Sequence, residues 1–294
     1  MTDNISKFKG LGVAIITPFL PSGKIDFPSL ENLVADLIRG RVDYLVALGT
    51  TSEAPTLTAQ EKIDVVNCVA NVNQGKLPIV MGLGGPDTLG VAREMEAVDK
   101  LPVDAVLSVT PYYNKPSQEG LFQHYRFLSA HTPRPIILYN VPGRTSCNAD
   151  AATTLRIAEN CPNVIGIKEA SGKMKQILYL LNHKPENFLI ISGDDLLTLP
   201  LMTVGMDGLI SVIANAYPAE MANMVHLAMN DQYIKARLYH DKLFDLMQAC
   251  FEEGNPAGIK AVMTAQNKIQ NVLRLPNVPV SQKLSDKITE LVQQ

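Results

Sequence analysis

The sequence predicts an α/β protein, built as a (β/α)8 TIM barrel with a C-terminal all-helical extension. Eight short apolar runs recur along its 294 residues with a mean spacing of about 28, close to the length of one strand–helix unit. The runs are almost continuously apolar, as parallel strands covered on both faces are. A doubly wound sheet is the alternative, but in place of its Gly-rich turn after the first strand this chain has Thr17-Pro18-Phe19.

The same pattern predicts each element in chain order. The predicted strands are 12–16, 44–48, 78–82, 105–109, 135–139, 164–168, 188–192 and 208–212. Helical spacing follows them at 29–39, 59–72, 88–98, 118–131 and 150–160, and a capping box of Thr58 and Glu61 opens the second helix. The last part of the chain predicts helices alone, at 231–250, 258–272 and 280–292. We therefore expect residues 1–218 to form a catalytic barrel, and residues 219–294 to supply the last barrel helix and a helical extension packed on the barrel.

Composition and charge exclude several classes of protein. The chain has 26 basic and 29 acidic residues, a net charge of −3 and no basic block, so no nucleic-acid partner is expected. The apolar run at 11–16 is too short for a signal peptide, and Gly and Pro interrupt the one at 196–219, so no membrane partner is expected. Four scattered cysteines are typical of reduced thiols in a cytoplasmic protein. Neither they nor the histidines have metal-ligand spacing, and Asp194-Asp195 is interpreted as a turn and helix N-cap, so no metal is expected.

Lys168 is the most informative residue in the sequence. It ends the sixth predicted strand, and period-two geometry places it on one face with Val164 and Gly166. The catalytic side chains of a barrel lie where its strands end. Burial there disfavours the charged ammonium and favours the neutral amine, a nucleophile towards a carbonyl carbon. A lysine that reaches solvent from a strand end is the alternative.

Polar residues at other strand ends are further candidates. Tyr139 ends the fifth strand, where it could move the protons that imine formation requires, or serve as a core tyrosine with a satisfied hydroxyl. Thr50 and Thr51 follow the second strand and offer N–H groups and hydroxyls to a carboxylate, although threonine is common at strand ends. Arg144 could bind a carboxylate with both guanidinium nitrogens, or be an ordinary surface arginine.

Four motifs stand at these strand ends. They are GTTSE at 49–53, PYYNKP at 111–116, YNVPGRT at 139–145 and GIKEASG at 166–172. In order and spacing they resemble the dihydrodipicolinate synthase family, a group of pyruvate-dependent class I aldolases, and the resemblance covers nearly the whole chain. It implies a lyase without a cofactor that condenses pyruvate with L-aspartate 4-semialdehyde in lysine and diaminopimelate biosynthesis.

The resemblance also implies how the chemistry is shared among residues. Lys168 would form a Schiff base with the ketone of pyruvate, and Tyr139 would donate and accept protons. Thr51 and Tyr113 would complete a proton relay, with Tyr113 lent across a dimer interface. The implied assembly is therefore at least a dimer, commonly a homotetramer built as a dimer of dimers.

Substrate binding is implied for four positions. Thr50 and Thr51 would hold the pyruvate carboxylate, and Ile210 would contact the bound pyruvate from the eighth strand. Arg144 would bind the carboxylate of the semialdehyde.

Two departures from the family's pattern are visible. Ser52 stands where the family usually has glycine, which leaves the geometry of this loop open if the position needs a positive φ. The pocket that binds L-lysine in feedback-regulated members is also altered. Lys62 stands where a histidine is expected, and Pro86 and Gly90 replace an asparagine and a glutamate. We therefore expect no inhibition by L-lysine.

Two other functions remain open at this point. One is another aldolase of the same group, such as N-acetylneuraminate lyase or a 2-keto-3-deoxy sugar acid aldolase, which would share Lys168 and Tyr139. The sequence around Arg144 and the pair Tyr112-Tyr113 favour the amino-acid pathway instead. The other is a non-catalytic barrel that binds a keto acid as a sensor, which has no need of an imine.

Overall fold

Eight parallel strands form a closed barrel in a computed structural model, which describes residues 5–294. Each strand pairs with its neighbours in chain order, and the first strand closes on the eighth. The strands are β1 (Gly10–Ala14), β2 (Tyr44–Ala47), β3 (Ile79–Leu83), β4 (Ala105–Val109), β5 (Ile136–Asn140), β6 (Val164–Glu169), β7 (Leu189–Ser192) and β8 (Gly208–Ser211). The predicted fold class is therefore confirmed.

Helices surround the barrel and continue past it. Those of the barrel are α1 (Phe27–Arg39), α2 (Ala59–Asn73), α3 (Thr88–Val98), α4 (Gln118–His131), α5 (Pro142–Thr145), α6 (Ala151–Asn160), α7 (Met174–His183), α8 (Asp195–Met202) and α9 (Pro218–Met229). The extension contains α10 (Tyr233–Glu252), α11 (Ala257–Ala265) and α12 (Gln282–Gln293). Thr58 and Glu61 form the expected capping box at the start of α2. No helix in residues 5–294 is long and apolar enough to span a membrane.

Most predicted boundaries agree within two residues, and two of the differences have a structural explanation. The first strand lies two residues earlier than predicted, because its pairing with β8 begins at Gly10, while Ile15 and Ile16 are buried beyond its end. The helix predicted to run to residue 272 ends at Ala265. Asn267 adopts the left-handed conformation with φ of 57°, as asparagine often does after a helix. Apolar spacing beyond that point comes from an irregular, mostly half-buried segment in which Ile269 is buried.

The barrel has an inner and an outer apolar core. Side chains that fill the barrel include Val46, Leu107 and Ile191, and Phe8 meets Tyr44 edge-on at the end where the strands begin, with ring centroids 6.0 Å apart. The larger core lies between the strands and the surrounding helices. Both faces of every strand are therefore covered, which explains why the strands are apolar without alternation.

Three carboxylates join neighbouring strands at the bottom of the barrel, the end where the strands begin. Asp43, Asp104 and Asp207 each precede a strand and accept a backbone N–H from the strand before it, at 2.7, 2.9 and 3.0 Å. Charged groups are thus used for structure at the bottom of the barrel. The opposite end, where the strands finish, is left for chemistry.

The C-terminal extension is joined to the barrel by Arg274. Its guanidinium binds both carboxylate oxygens of Glu61 at 2.5 and 2.9 Å, and its backbone N–H donates to Glu53 at 3.0 Å. The hydrogen bonding of the Arg274 side chain to Glu61 lowers the pKa of Glu61 from 4.5 to about 2.

The lowered pKa of Glu61 predicts how the stability of the protein depends on pH. Because the carboxylate is favoured in the folded protein, its stabilisation is complete above pH 4.5 and is lost as the pH falls towards 2. Glu61→Gln is expected to unfold more easily than the wild type at neutral pH, and the difference should shrink below about pH 5. Urea unfolding of both proteins between about pH 7 and pH 4 measures this. Glu186→Gln at an exposed site is the control, and an unchanged difference for Glu61→Gln over that range would contradict the assignment.

Candidate active site

Lys168 and Tyr139 lie together at the mouth of the barrel. They occupy paired positions on β6 and β5, so both side chains point to the same side of the sheet. The Nζ atom of Lys168 lies 4.5 Å from the centroid of the Tyr139 ring. Lys168 is only 5% exposed and makes no ion pair in the part of the chain that the structure describes. The interpretation of Lys168 as a lysine reaching out to solvent is therefore wrong.

One detail of the predicted strand is corrected. Val164 was expected to share a face with Lys168, but it packs in the outer core, while Ile165 faces the barrel interior. The cause is an irregularity in the β5–β6 pairing, which steps from Val164 to Gly166 and leaves Ile165 unpaired. An extra residue in a strand reverses the faces before it and leaves those after it unchanged. Lys168 consequently keeps its inward direction.

A missing side chain makes room for the lysine. Gly193 follows β7, and a Cβ atom there would lie 2.6 Å from the Cβ of Ala170 and 3.0 Å from Cε of Lys168. The first distance is shorter than real contacts of this kind, and the second would press on the end of the lysine side chain. Glycine at this position therefore leaves room for both Ala170 and Lys168.

The loop after β2 carries Thr50 and Thr51 in a short 3-10 helix, Thr50–Ser52. Thr51 is buried and Thr50 is half-buried. Ser52 does not have a positive φ, and its hydroxyl donates to the Gly49 carbonyl at 2.7 Å. The left-handed residue is Glu53, with φ of 55°. Serine therefore costs no backbone strain at position 52 and adds a hydrogen bond that glycine could not make.

Two residues of the C-terminal extension hold this loop. Lys260 is fully buried, and its Nζ lies 2.5 Å from the Glu53 carboxylate and 3.0 Å from the Val272 carbonyl. Burial lowers the pKa of Lys260, and the attraction of Glu53 opposes that shift. A buried pair of this kind is strongly destabilised when one partner is removed, because the other charge then stays buried alone. Glu53 thus ties the Thr50–Thr51 loop to the extension.

Asn255 is the second link, and it joins two predicted site residues. Its Nδ2 donates to Oγ1 of Thr51 at 3.0 Å, and its backbone carbonyl accepts from Nη2 of Arg144 at 3.2 Å. Arg144 lies on α5, a single turn that starts at Pro142 and ends at the left-handed Ser146. Thr51 and Arg144 are therefore brought to one place through a residue more than a hundred positions away from either.

The remaining predicted residues lie around this centre in different ways. Ile210 is buried on β8 and packs in the barrel interior with Tyr139. Tyr113 stands apart, because it is 86% exposed in this single chain and has φ of 70° in the loop between β4 and α4. A left-handed tyrosine costs energy, and such strain tends to occur at functional sites.

Buried carboxylates support the neighbouring strand ends. Asp194 caps α8 as expected, and Asp195 accepts from the Ser211 hydroxyl at 2.6 Å and from the N–H groups of Val212 and Ile213. Burial raises the pKa of Asp195. These bonds fix the segment that follows β8. No cluster of metal-ligating side chains occurs among the described residues.

Asn255, Lys260 and Gly193 are site residues that the sequence reasoning missed. Gly193 directly follows a predicted strand, so its position was a usable signal. Asn255 and Lys260 belong to the extension, where no strand end points to them. The charge of Glu53 indicates a buried cation only once Glu53 is known to be buried, which the structure shows.

This fold defines a class of protein, the (β/α)8-barrel enzymes with their site at the strand ends, here among the lyases. The chain belongs to the dihydrodipicolinate synthetase family, whose sequence profile matches residues 7–294. The 4-hydroxy-tetrahydrodipicolinate synthase of Parabacteroides distasonis is 47% identical over 97% of this chain and 96% of its own. That of Flavobacterium psychrophilum is 44% identical over 96% of both chains.

Solved structures agree with this assignment. Dihydrodipicolinate synthase from Thermotoga maritima superposes with a TM-score of 0.95, at 39% identity and 98% coverage of both chains. A monomeric variant of dihydrodipicolinate synthase gives a TM-score of 0.96 at 38% identity, covering 99% of this chain and 98% of the other. The enzyme of Cyanidioschyzon merolae with lysine bound gives 0.93 at 33% identity, covering 98% of each.

Proposed function

We propose that this protein is a 4-hydroxy-tetrahydrodipicolinate synthase that condenses pyruvate with L-aspartate 4-semialdehyde. The observation that carries the proposal is the buried Lys168 beside Tyr139, at the mouth of a barrel of this family. Nearly full-length relatives with this activity in their names support it.

The chemistry starts with the Lys168 amine, which attacks the ketone carbon of pyruvate. Loss of water from the resulting carbinolamine gives an imine, and loss of a methyl proton gives an enamine. Tyr139 moves the protons in both steps. The enamine carbon attacks the aldehyde of the semialdehyde, whose amino group then attacks the imine carbon and releases Lys168.

The other residues bind and orient substrate in this proposal. Thr50 and Thr51 hold the pyruvate carboxylate with their N–H groups, and Thr50 also with its hydroxyl, as their place in the loop after β2 allows. Ile210 packs against the bound pyruvate from inside the barrel. Arg144, directed by its bond to Asn255, binds the carboxylate of the semialdehyde.

Tyr113 extends the relay from Thr51 to solvent in the assembled enzyme. Because its side chain is 86% exposed and its backbone strained, we propose that it enters the site of a second copy across a dimer interface. A tetramer of two such dimers is the assembly that we propose. One of the related structures is a monomeric variant, so the number of subunits in this protein is measured directly. Sedimentation velocity decides it.

A comparison of substrates tests the proposed function. Purified protein is given pyruvate with L-aspartate 4-semialdehyde in one assay and N-acetylneuraminate in another, and a 2-keto-3-deoxy sugar acid in a third. Fast condensation in the first assay alone supports the synthase. Cleavage of a sugar acid would show another aldolase of the group, and binding of pyruvate without turnover or imine would show a keto-acid sensor.

L-Lysine is expected not to inhibit this enzyme. The family's inhibitor pocket would need a carboxylate for the lysine ammonium, and Gly90 stands at that position, with Lys62 where a histidine is expected. Truncating a buried charge partner costs about 2–5 kcal/mol. Micromolar-to-millimolar binding amounts to only ~4–8 kcal/mol, so binding should be lost.

Asp87, three residues before Gly90, is the candidate to replace the missing partner from a shifted position. Its oxygens already accept the N–H groups of Leu89 and Gly90 at 3.1 and 3.0 Å as the N-cap of α3. Initial rates with increasing L-lysine, at limiting and saturating pyruvate, measure the effect. Saturable inhibition below the substrate concentrations would mean that the pocket still binds lysine.

A further inference from the structure

Asn255 of the C-terminal extension has a role in the reaction that does not follow from the strand ends. We propose that Asn255 is a positioning residue that keeps the Thr51 hydroxyl oriented for passing a proton between Tyr139 and Tyr113. This inference rests on the proposed function, because it requires the relay through Thr51.

The contact that carries the inference is buried on both sides. Asn255 is 8% exposed, Thr51 is buried, and Nδ2 of the first donates to Oγ1 of the second at 3.0 Å. The Asn255 backbone carbonyl accepts from Arg144, which fixes the residue from another direction. Water therefore cannot readily replace this donor in the folded protein.

The orientation of the Asn255 side-chain amide follows from the polar atom that each of its two possible orientations leaves without a hydrogen bond. As placed, Oδ1 of Asn255 has no hydrogen-bond partner among residues 5–294. Reversing the amide would let Oδ1 accept from Thr51 and would leave the NH2 group without that acceptor. A buried N–H without a partner is rarer and more costly than an under-satisfied carbonyl oxygen. The amide is therefore the donor and the Thr51 oxygen the acceptor.

Counting the capacity of the hydroxyl shows what remains for the relay. A threonine hydroxyl has one proton and two lone pairs. Asn255 occupies one lone pair, which leaves one proton and one lone pair for the two tyrosines. Thr51 can then accept from one tyrosine only while it donates to the other. Without Asn255 the hydroxyl proton could rotate away from the relay.

Two substitutions at Asn255 separate this role from simple support of the loop. Asn255→Asp keeps the shape but has no N–H, so it can only accept the hydroxyl proton and withdraw it from the relay. Asn255→Ala removes the group and leaves the hydroxyl free. We expect kcat to fall about 10²-fold for Asp and about 10-fold for Ala, at or below the lower end of what positioned proton transfer contributes. A residue that only supports the loop would give the reverse order, because Asp is the closer mimic.

A double-mutant cycle with Thr51→Val completes the test. With no hydroxyl at position 51, the difference in kcat between Asn255→Asp and Asn255→Ala should disappear. If it persists, Asn255 acts through the charge or the shape of the loop, and the inference is wrong. Circular dichroism and thermal unfolding identify a variant that has lost its fold. If Asn255→Asp does not fold, Asn255→Ala, Thr51→Val and the double variant are compared instead. If the losses in kcat of the two single variants simply add in the double variant, the inference is wrong.

Two controls keep the outcomes distinct. Asn267→Asp makes the same chemical change at an exposed position of the extension, and its kcat should equal that of the wild type. Borohydride trapping of pyruvate on the wild type is measured in parallel. A wild type that forms no imine refutes the proposed function itself. If the wild type forms the imine but Asn255→Ala loses more activity than Asn255→Asp, only the role of Asn255 is refuted.

Discussion

Lys168→Ala is expected to leave a folded protein with almost no turnover. The residue supplies the bond to pyruvate in the proposed reaction, and no neighbouring group replaces a covalent step by positioning alone. Folding should survive, because Lys168 makes no ion pair within residues 5–294 and its loss leaves no buried partner unsatisfied. Condensation rates and the thermal unfolding midpoint measure the two effects separately.

Trapping the intermediate locates the bond. Pyruvate with borohydride should add one pyruvyl unit to the wild type, on the peptide that contains Lys168, and none to Lys168→Ala. Lys173→Ala is the matched control, since this lysine lies five positions further along the chain and is exposed. An adduct on another lysine, or no adduct at all, would overturn the mechanism.

Tyr113→Phe is expected to lower kcat by roughly 10²–10⁴, the usual contribution of positioned proton transfer. Phenylalanine keeps the ring that packs across the proposed interface and removes only the hydroxyl. The assembly measured by sedimentation should therefore be unchanged. An unaltered kcat would exclude Tyr113 from the relay.

The adjacent tyrosine provides the matched control for this prediction. Tyr112→Phe removes the same atom one position earlier, from a side chain that is also exposed, and has no part in the proposed relay. Its kcat should remain that of the wild type. Equal losses in both variants would point to a disturbed loop rather than to proton transfer.

The barrel and its lysine were predictable from the sequence for a physical reason. Parallel strands covered on both faces appear in the sequence as clear apolar runs. Polar residues directly after such runs all lie at the same end of the barrel. Lys168, Tyr139 and Thr51 follow from that rule. The irregularity at Ile165 did not follow, because a bulge depends on pairing with β5, which the sequence of β6 alone does not contain.

The contributions of the extension were beyond prediction for a different reason. Asn255 and Lys260 reach Thr51 and Glu53 over more than two hundred residues of chain, and local pattern carries no trace of such a contact. A buried carboxylate such as Glu53 needs a counter-charge. Because the sequence does not show that Glu53 is buried, neither that need nor the residue that meets it could be predicted.

The contacts of the extension with the Thr50–Thr51 loop have a consequence for the order of protein synthesis. A nascent chain that has left the ribosome up to residue 250 already contains all eight strands, Lys168 and Tyr139. It still lacks Asn255, Lys260 and Arg274, so the charge of Glu53 has no partner and Thr51 has no donor. The stretch from residue 251 to residue 274, which is translated after all eight strands, therefore completes the site.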